Sequence, residues 1–234
     1  MADWQGLAVG TVAWGAGFGI VTALLGKKKS GEFCNRCVSM VHVFVAAYLC
    51  MASVSDWSRP LDGIGGPSSA LQMRAIKTSL AYFVYDFFCC LVVFPRDIGN
   101  AVHHIITIMG LGYGFMTQTC PNEAKDVMQC GTELVACLWL MELSNPFMHA
   151  RELFKEFGIK DTPLNMANDL SFVVIFTLAR MGVGPYVVYH TLNSQSTPVV
   201  KFGAVGIQVV SVFWFYKIAR MVMYKLTKKK KKAV

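Results

Sequence analysis

A chain of 234 residues that is 54% hydrophobic and only 15% charged, with a mean hydropathy of +0.45, lacks the polar faces and charge of a water-soluble domain. Its net charge of +8 sits in two lysine runs, residues 27–29 and 228–232, while the remaining 14 basic residues balance 14 acidic ones. Basic runs beside apolar segments set membrane topology and attract anionic headgroups; with no base-reading motif present, nucleic acid is excluded as a partner.

Apolar stretches of the ~17–25 residues that cross a bilayer run over residues 4–25, 37–54, 78–94, 101–118, 130–149, 168–190 and 199–224. They predict an all-α membrane protein with about seven transmembrane helices in one bundle and no internal repeat or linker. The first stretch has no basic residue before it and no small-residue cleavage site after it, so it reads as a retained anchor. A basic loop follows, then Cys34 and Cys37 in a C-x-x-C without the second pair that tetrahedral zinc requires; no metal is assigned. PRDIGN, residues 95–100, reads as a tight turn between the third and fourth spans. Cys120 and Cys130 flank the next loop, where an oxidising compartment would permit a bridge. Cys50, Cys89, Cys90 and Cys137 fall inside spans as small hydrophobes.

Lys and Arg placement predicts the orientation. An amino terminus in the lumen puts Lys27, Lys28, Lys29, Arg36, Arg96, Arg151, Lys155, Lys160 and the tail on the cytosolic side, against Arg59, Arg74, Lys77 and Lys125 opposite. In the cytosolic tail Lys231 and Lys232 resemble the dilysine retrieval address of endoplasmic reticulum membrane proteins, an instruction read by a cytosolic coat and not an anchor. A generic polybasic run is the alternative. The divisions expected are an anchor and loop over 1–33, a core domain over 34–224 and a tail over 225–234.

Ionisable side chains inside spans are rare and are functional candidates. Counted from the cytosolic ends at ~1.5 Å per residue, His104 falls ~5 Å deep, His42 ~8 Å, Asp86 and Glu142 ~10–12 Å and Arg180 roughly 18 Å, with Ser144 and Asn145 slightly shallower than Glu142. The bias toward one leaflet predicts a polar pocket opening to the cytosolic side. A carboxylate beside an imidazole orients it and fixes its tautomer, as a general base requires. Successive helical residues point about 100° apart, so His103 and His104 cannot both face one carboxylate equally; one is expected in the pocket and the other against a neighbouring helix or the headgroup boundary. The alternative is that these groups snorkel or act as interhelical polar contacts.

RCVSMVHVFVAAY, SLAYFVYDFF, HHIIT, MELSNPFMHAREL and IFTLARMGVGP occur in that order over residues 34–224. Together they resemble the TLC domain family of translocating-chain-associated proteins, ceramide synthases and a ceroid-lipofuscinosis protein, and are most similar to its small TLC-domain-containing members. The resemblance implies residence in the endoplasmic reticulum membrane and a role in lipid synthesis, sensing or trafficking. It implies that His103 and His104 are the paired histidines, with Thr107 completing H-H-x-x-T and Asp86 their companion acid. His42, Glu142, Ser144, Asn145 and Arg180 would line the lipid pocket. The chain departs from the ceramide synthases in lacking the second acidic cluster after the histidines.

Two functions stay open. One is a non-catalytic lipid sensor or carrier. The other is an acyl-CoA-dependent acyltransferase in which a histidine acts as base or nucleophile, and Asn145 or Ser144 donates to the oxyanion. Partners are membrane lipids, acyl-CoA as a co-substrate and the coat that would read the tail; no resident cofactor is implied. Five histidines are too few for the histidine-rich di-iron site of a membrane desaturase. Lys217, near the end of the last span, reads as a snorkelling residue and not a Schiff-base lysine.

Overall fold

The computed structural model describes residues 3–93, 98–117 and 131–232, with side chains up to residue 224. Among these residues there is no sheet. The helices are α1 Trp4–Leu25, α2 Gly31–Ala52, α3 Ala70–Val92, α4 Ile98–Met116, α5 Gly131–Glu142, α6 Asn145–Glu156, α7 Pro163–Phe176, a π-helical segment Thr177–Val183, α8 Gly184–Asn193 and α9 Pro198–Lys232. α7, the π segment and α8 form one rod of 31 residues. Among the described residues five helices are long and apolar enough to cross a membrane: α1, α2, α3, that rod and α9 as far as Tyr224. α4 has 19 residues but carries Asn100 and both histidines, and α5 has only 12. Large apolar side chains such as Val12, Leu24, Phe44, Val92, Leu178 and Phe202 stand exposed around the outside. Lipid tolerates so broad an apolar surface and water does not. This is a multi-pass membrane protein.

Caps fix where the helices start. The Ser30 hydroxyl accepts the Phe33 N–H at 3.1 Å, so α2 begins at Gly31 and not at residue 37. Cys34 and Cys37, expected in a loop, therefore lie on α2 and form no disulfide; Cys120 and Cys130 lie outside the described residues. α3 likewise begins before residue 78, at a capping box. Ser69 accepts the Gln72 N–H at 3.1 Å and the Gln72 side chain accepts the Ser69 N–H at 2.8 Å. Ser69→Ala is expected to cost about 1 kcal/mol, and Ser69→Asn, an equally good cap, almost nothing. Thermal unfolding in micelles compares the two; equal midpoints would show that the cap contributes no stability.

From residue 131 on, the fifth predicted span, residues 130–149, is divided between two helices. Pro146 has no N–H to give the Glu142 carbonyl, and its ring obstructs the preceding turn. α5 therefore ends at Glu142 and α6 restarts at Asn145. The π segment also has a local cause. The Gly184 N–H bonds the Ala179 carbonyl, five residues back, and Pro185 has no N–H to restore the ordinary ladder. The Arg180 carbonyl is skipped, and Gln208 of α9 donates Nε2 to it at 3.0 Å.

α3 packs against α1, α2, α4 and α5, and α9 against α4 and α8. Ile76, Leu80, Leu111, Phe115, Leu134 and Leu138 are buried between them. α1 has no buried residue and lays Leu7, Trp14, Phe18 and Val21 on this core from outside. At one end of the bundle the Glu133 carboxylate accepts the Gly65 N–H at 3.3 Å and the Ser196 hydroxyl. At the other, Lys29 Nζ donates to the Glu156 carbonyl at 2.6 Å and the Ser30 hydroxyl to the Glu156 carboxylate.

Candidate functional site

Three helices converge on Asp86. Its Oδ1 accepts Asn35 Nδ2 of α2 at 2.7 Å, and Asn35 Oδ1 accepts the Tyr85 hydroxyl at 2.6 Å. Its Oδ2 lies 2.8 Å from His104 Nε2 of α4. His104 Nδ1 lies 2.7 Å from the Asn100 carbonyl one turn back. A carbonyl only accepts, so Nδ1 carries a hydrogen. One proton is then shared between Nε2 and Asp86 Oδ2, and neither ring nitrogen of His104 is open to another partner. Asp86 and His104 are 7% and 3% exposed; burial raises the cost of separating them.

His103 differs. Its ring meets Trp214 at 5.0 Å and stands edge-on to His104 at 5.6 Å between centroids. Its Nδ1 is buried without a hydrogen-bond partner. The expected inequality between the two histidines is thus present, with His104 the one on Asp86. The expected division holds only in part: His103 packs against Trp214 of α9, a neighbouring helix, yet both histidines border one cavity of about 280 Å³. α4 lies between α3 and α9, so adjacent residues on it reach two walls of the same space.

Asp86, His42, Glu142, Asn145 and Arg180 also border this chamber, against an apolar wall that includes Phe172, Phe176 and Trp214. His42 stacks on Tyr82 with centroids 3.7 Å apart and points Nε2 at the Ser79 hydroxyl, 3.3 Å away; its Nδ1 is without a partner. Asn145 donates Nδ2 to Glu142 at 3.1 Å and accepts Arg180 Nη2 at 3.2 Å, which spends the amide expected to face an oxyanion. Ser144 is not brought to the chamber. It is fully buried at the α5–α6 break, with its hydroxyl unpartnered. That break matters for Arg180, because it frees the Met141 carbonyl, which Arg180 Nη2 takes at 2.6 Å.

Several chamber residues were not anticipated. Arg36 borders the chamber and Asn35 bonds Asp86; both fall outside a second span that starts at residue 37, and the Ser30 cap is the signal that places them on the helix. His149, at the end of the fifth predicted span, is 4% exposed and borders the chamber with its Nδ1 3.5 Å from Arg36 Nη1. Arg151 and Lys217 border it as well. Ligand atoms of Asp86, Cys90 and His104 come within 4.8 Å of one another. A zinc ion needs four ligands at about 2.0–2.3 Å, whereas here nitrogen and carboxylate meet directly across a hydrogen bond. The geometry is that of a hydrogen-bonded pair.

A family model described as the TLC domain matches residues 32–220. The chain belongs to the TLC domain family. Every residue bordering the chamber lies inside the TLC domain match, and α1 lies outside it. The chain is similar to TLC domain-containing protein 4 of Xenopus tropicalis, with 26% identity over 218 residues, 86% of this chain and 79% of that protein. It is also similar to TLC domain-containing protein 4-B of Danio rerio, with 23% identity over 207 residues, 82% of this chain and 74% of that one. No solved structure matches it.

Proposed function

We propose that this TLC domain protein binds a membrane lipid by its headgroup in the chamber and serves lipid homeostasis in the endoplasmic reticulum membrane. The observation that carries the reading is a single cavity of about 280 Å³ bordered by His42, His103 and Arg180, residues whose His42 Nδ1, His103 Nδ1, Arg180 Nε and Arg180 Nη1 are buried without protein partners. Buried polar groups are ordinarily satisfied, so a wall with this many unmet donors and acceptors is matched to a polar ligand. The amino terminus would be lumenal, and the chamber would open toward the cytosolic leaflet. Supporting this orientation, Lys29 is tied to Glu156 at the end of the bundle where Arg36 and Arg151 border the chamber. The lysines at 231 and 232 would return the protein to the endoplasmic reticulum.

A second reading is favoured by the contrast between the two histidines. With His104 held by Asp86 and Asn100, His103 is free to take a proton from an amine or hydroxyl, or to attack the carbonyl of an acyl-CoA thioester and release the CoA thiolate. His104 and Asp86 would then be positioning residues.

Whole-membrane lipidomics in cells lacking the protein, rescued with wild type at native abundance, tests the first reading. One lipid class is expected to change on loss and to return with wild type; an unchanged profile would overturn it. Incubating the purified protein with labelled acyl-CoA tests the second, which predicts transfer to the lipid class identified.

A further inference from the structure

Arg180 stands where two cavities meet. It borders the polar chamber and also a narrow apolar cavity of about 60 Å³ whose walls include Ile106, Leu138, Val187 and Ile207. The π segment that carries it is pinned through its own carbonyl by Gln208. Phe176 and Trp214 lie against the guanidinium, with centroids 4.9 and 5.7 Å from Cζ.

Nη2 is committed to the Met141 carbonyl and Asn145 Oδ1. Nε and Nη1 have no acceptor, and the residue is 4% exposed. Nor does a carboxylate neutralise it directly. Among the described residues no ion pair reaches Arg180, and Asn145 stands between it and Glu142, accepting from one and donating to the other. Asp86 is already occupied by His104 and Asn35. A guanidinium stripped of water with N–H groups unmet is costly unless an anion approaches it. Planar N–H donors suit carboxylate and phosphate oxygens.

We propose that Arg180 is the counter-ion for an oxyanion, a carboxylate or phosphate group, carried by the ligand of this chamber. The inference rests on the ligand-chamber reading above and assigns the charge of what that chamber takes. Lys217 borders the same space and adds positive charge there; Arg36 and Arg151 border it too but are paired with Glu32 at 3.4 Å and Asp169 at 3.5 Å. The apolar cavity behind Arg180 favours an oxyanion on a hydrocarbon tail over free phosphate.

The test uses the full chain purified in nanodiscs, with hexadecyl phosphate, hexadecanol of the same chain length and inorganic phosphate as probes. Binding is read by native mass spectrometry. Hexadecyl phosphate is expected to bind wild type about tenfold more tightly than hexadecanol or more. Arg180→Gln should abolish that preference, and Arg180→Lys should keep part of it. Displacement of hexadecyl phosphate by millimolar inorganic phosphate would support the oxyanion site with a soluble source; resistance to it would support a lipid source. Equal binding of the two long-chain probes to wild type would overturn the inference while leaving a lipid chamber standing, as would an undiminished preference in Arg180→Gln. Should Arg180→Gln fail to fold, the wild-type comparison and Arg180→Lys still decide. If no probe binds, the ligand-chamber reading falls, and this one with it.

Discussion

Asp86→Ala is expected to destabilise the protein by about 3 kcal/mol, the cost typical of removing one partner from a buried charged pair. The deletion leaves His104 Nε2 and Asn35 Nδ2, donors now bonded at 2.8 and 2.7 Å, facing nothing. An ordinary interhelical hydrogen bond in a membrane is worth only about 0.6 kcal/mol, so a loss that small would mean the pair carries no charge. Asp86→Asn separates the possibilities further. Its amide oxygen can accept from Asn35 while its NH2 donates to a neutral His104. Every bond is then kept, and a cost under about 1 kcal/mol is expected. Unfolding in micelles should therefore rank wild type, Asp86→Asn and Asp86→Ala in that order, with a wide gap before the last. In a double-mutant cycle, Asp86→Ala and His104→Ala together should cost clearly less than their sum. Strict additivity would argue that the two side chains do not act as a pair.

His103→Leu is expected to do the opposite: loss of function with no loss of stability. The Nδ1 of His103 is buried without a partner, so an apolar side chain of similar size against Trp214 removes an unmet polar group. Stability should hold or rise by about 1 kcal/mol. In knockout cells rescued at matched protein level, His103→Leu should fail to restore the lipid profile. If the protein transfers acyl groups, the rate should fall about 10²–10⁴-fold. His104→Leu should lose stability as well as function, because it strands Asp86. Full rescue by His103→Leu would show that the ring nitrogens of that histidine have no part in the activity.

Much of this site was legible because ionisable groups stand out against an apolar span. Asp86, His42, His103, His104, Glu142 and Arg180 were all picked from residue type and depth, and the structure gathers them around one chamber. Helix spacing was enough to say that the two histidines could not face one carboxylate equally. It could not say which of them pairs with Asp86, because that depends on how α4 is rotated against α3. Hydropathy also erred wherever backbone chemistry set a boundary. Ser30 starts α2 ahead of its apolar run, which hid Asn35. Pro146 breaks a run that reads as continuous, and so the freed Met141 carbonyl that receives Arg180 had no signature in composition. The π segment was equally hidden, since its cause is a ladder shifted by one residue ahead of Pro185.

The contacts from Tyr85 and Asn35 through Asp86 to His104 have a consequence for how the bundle assembles. Lipid tails are as apolar as leucine, so burial alone does little to discriminate between helices that slide along one another in a bilayer. A slip of α2 past α3 by one turn, about 5.4 Å, would keep much of the apolar contact yet carry the Asn35 amide out of reach of both Tyr85 and Asp86. A slip of α4 would separate His104 from the carboxylate. The polar groups therefore act as a vernier, making one alignment of three smooth rods distinct from its neighbours.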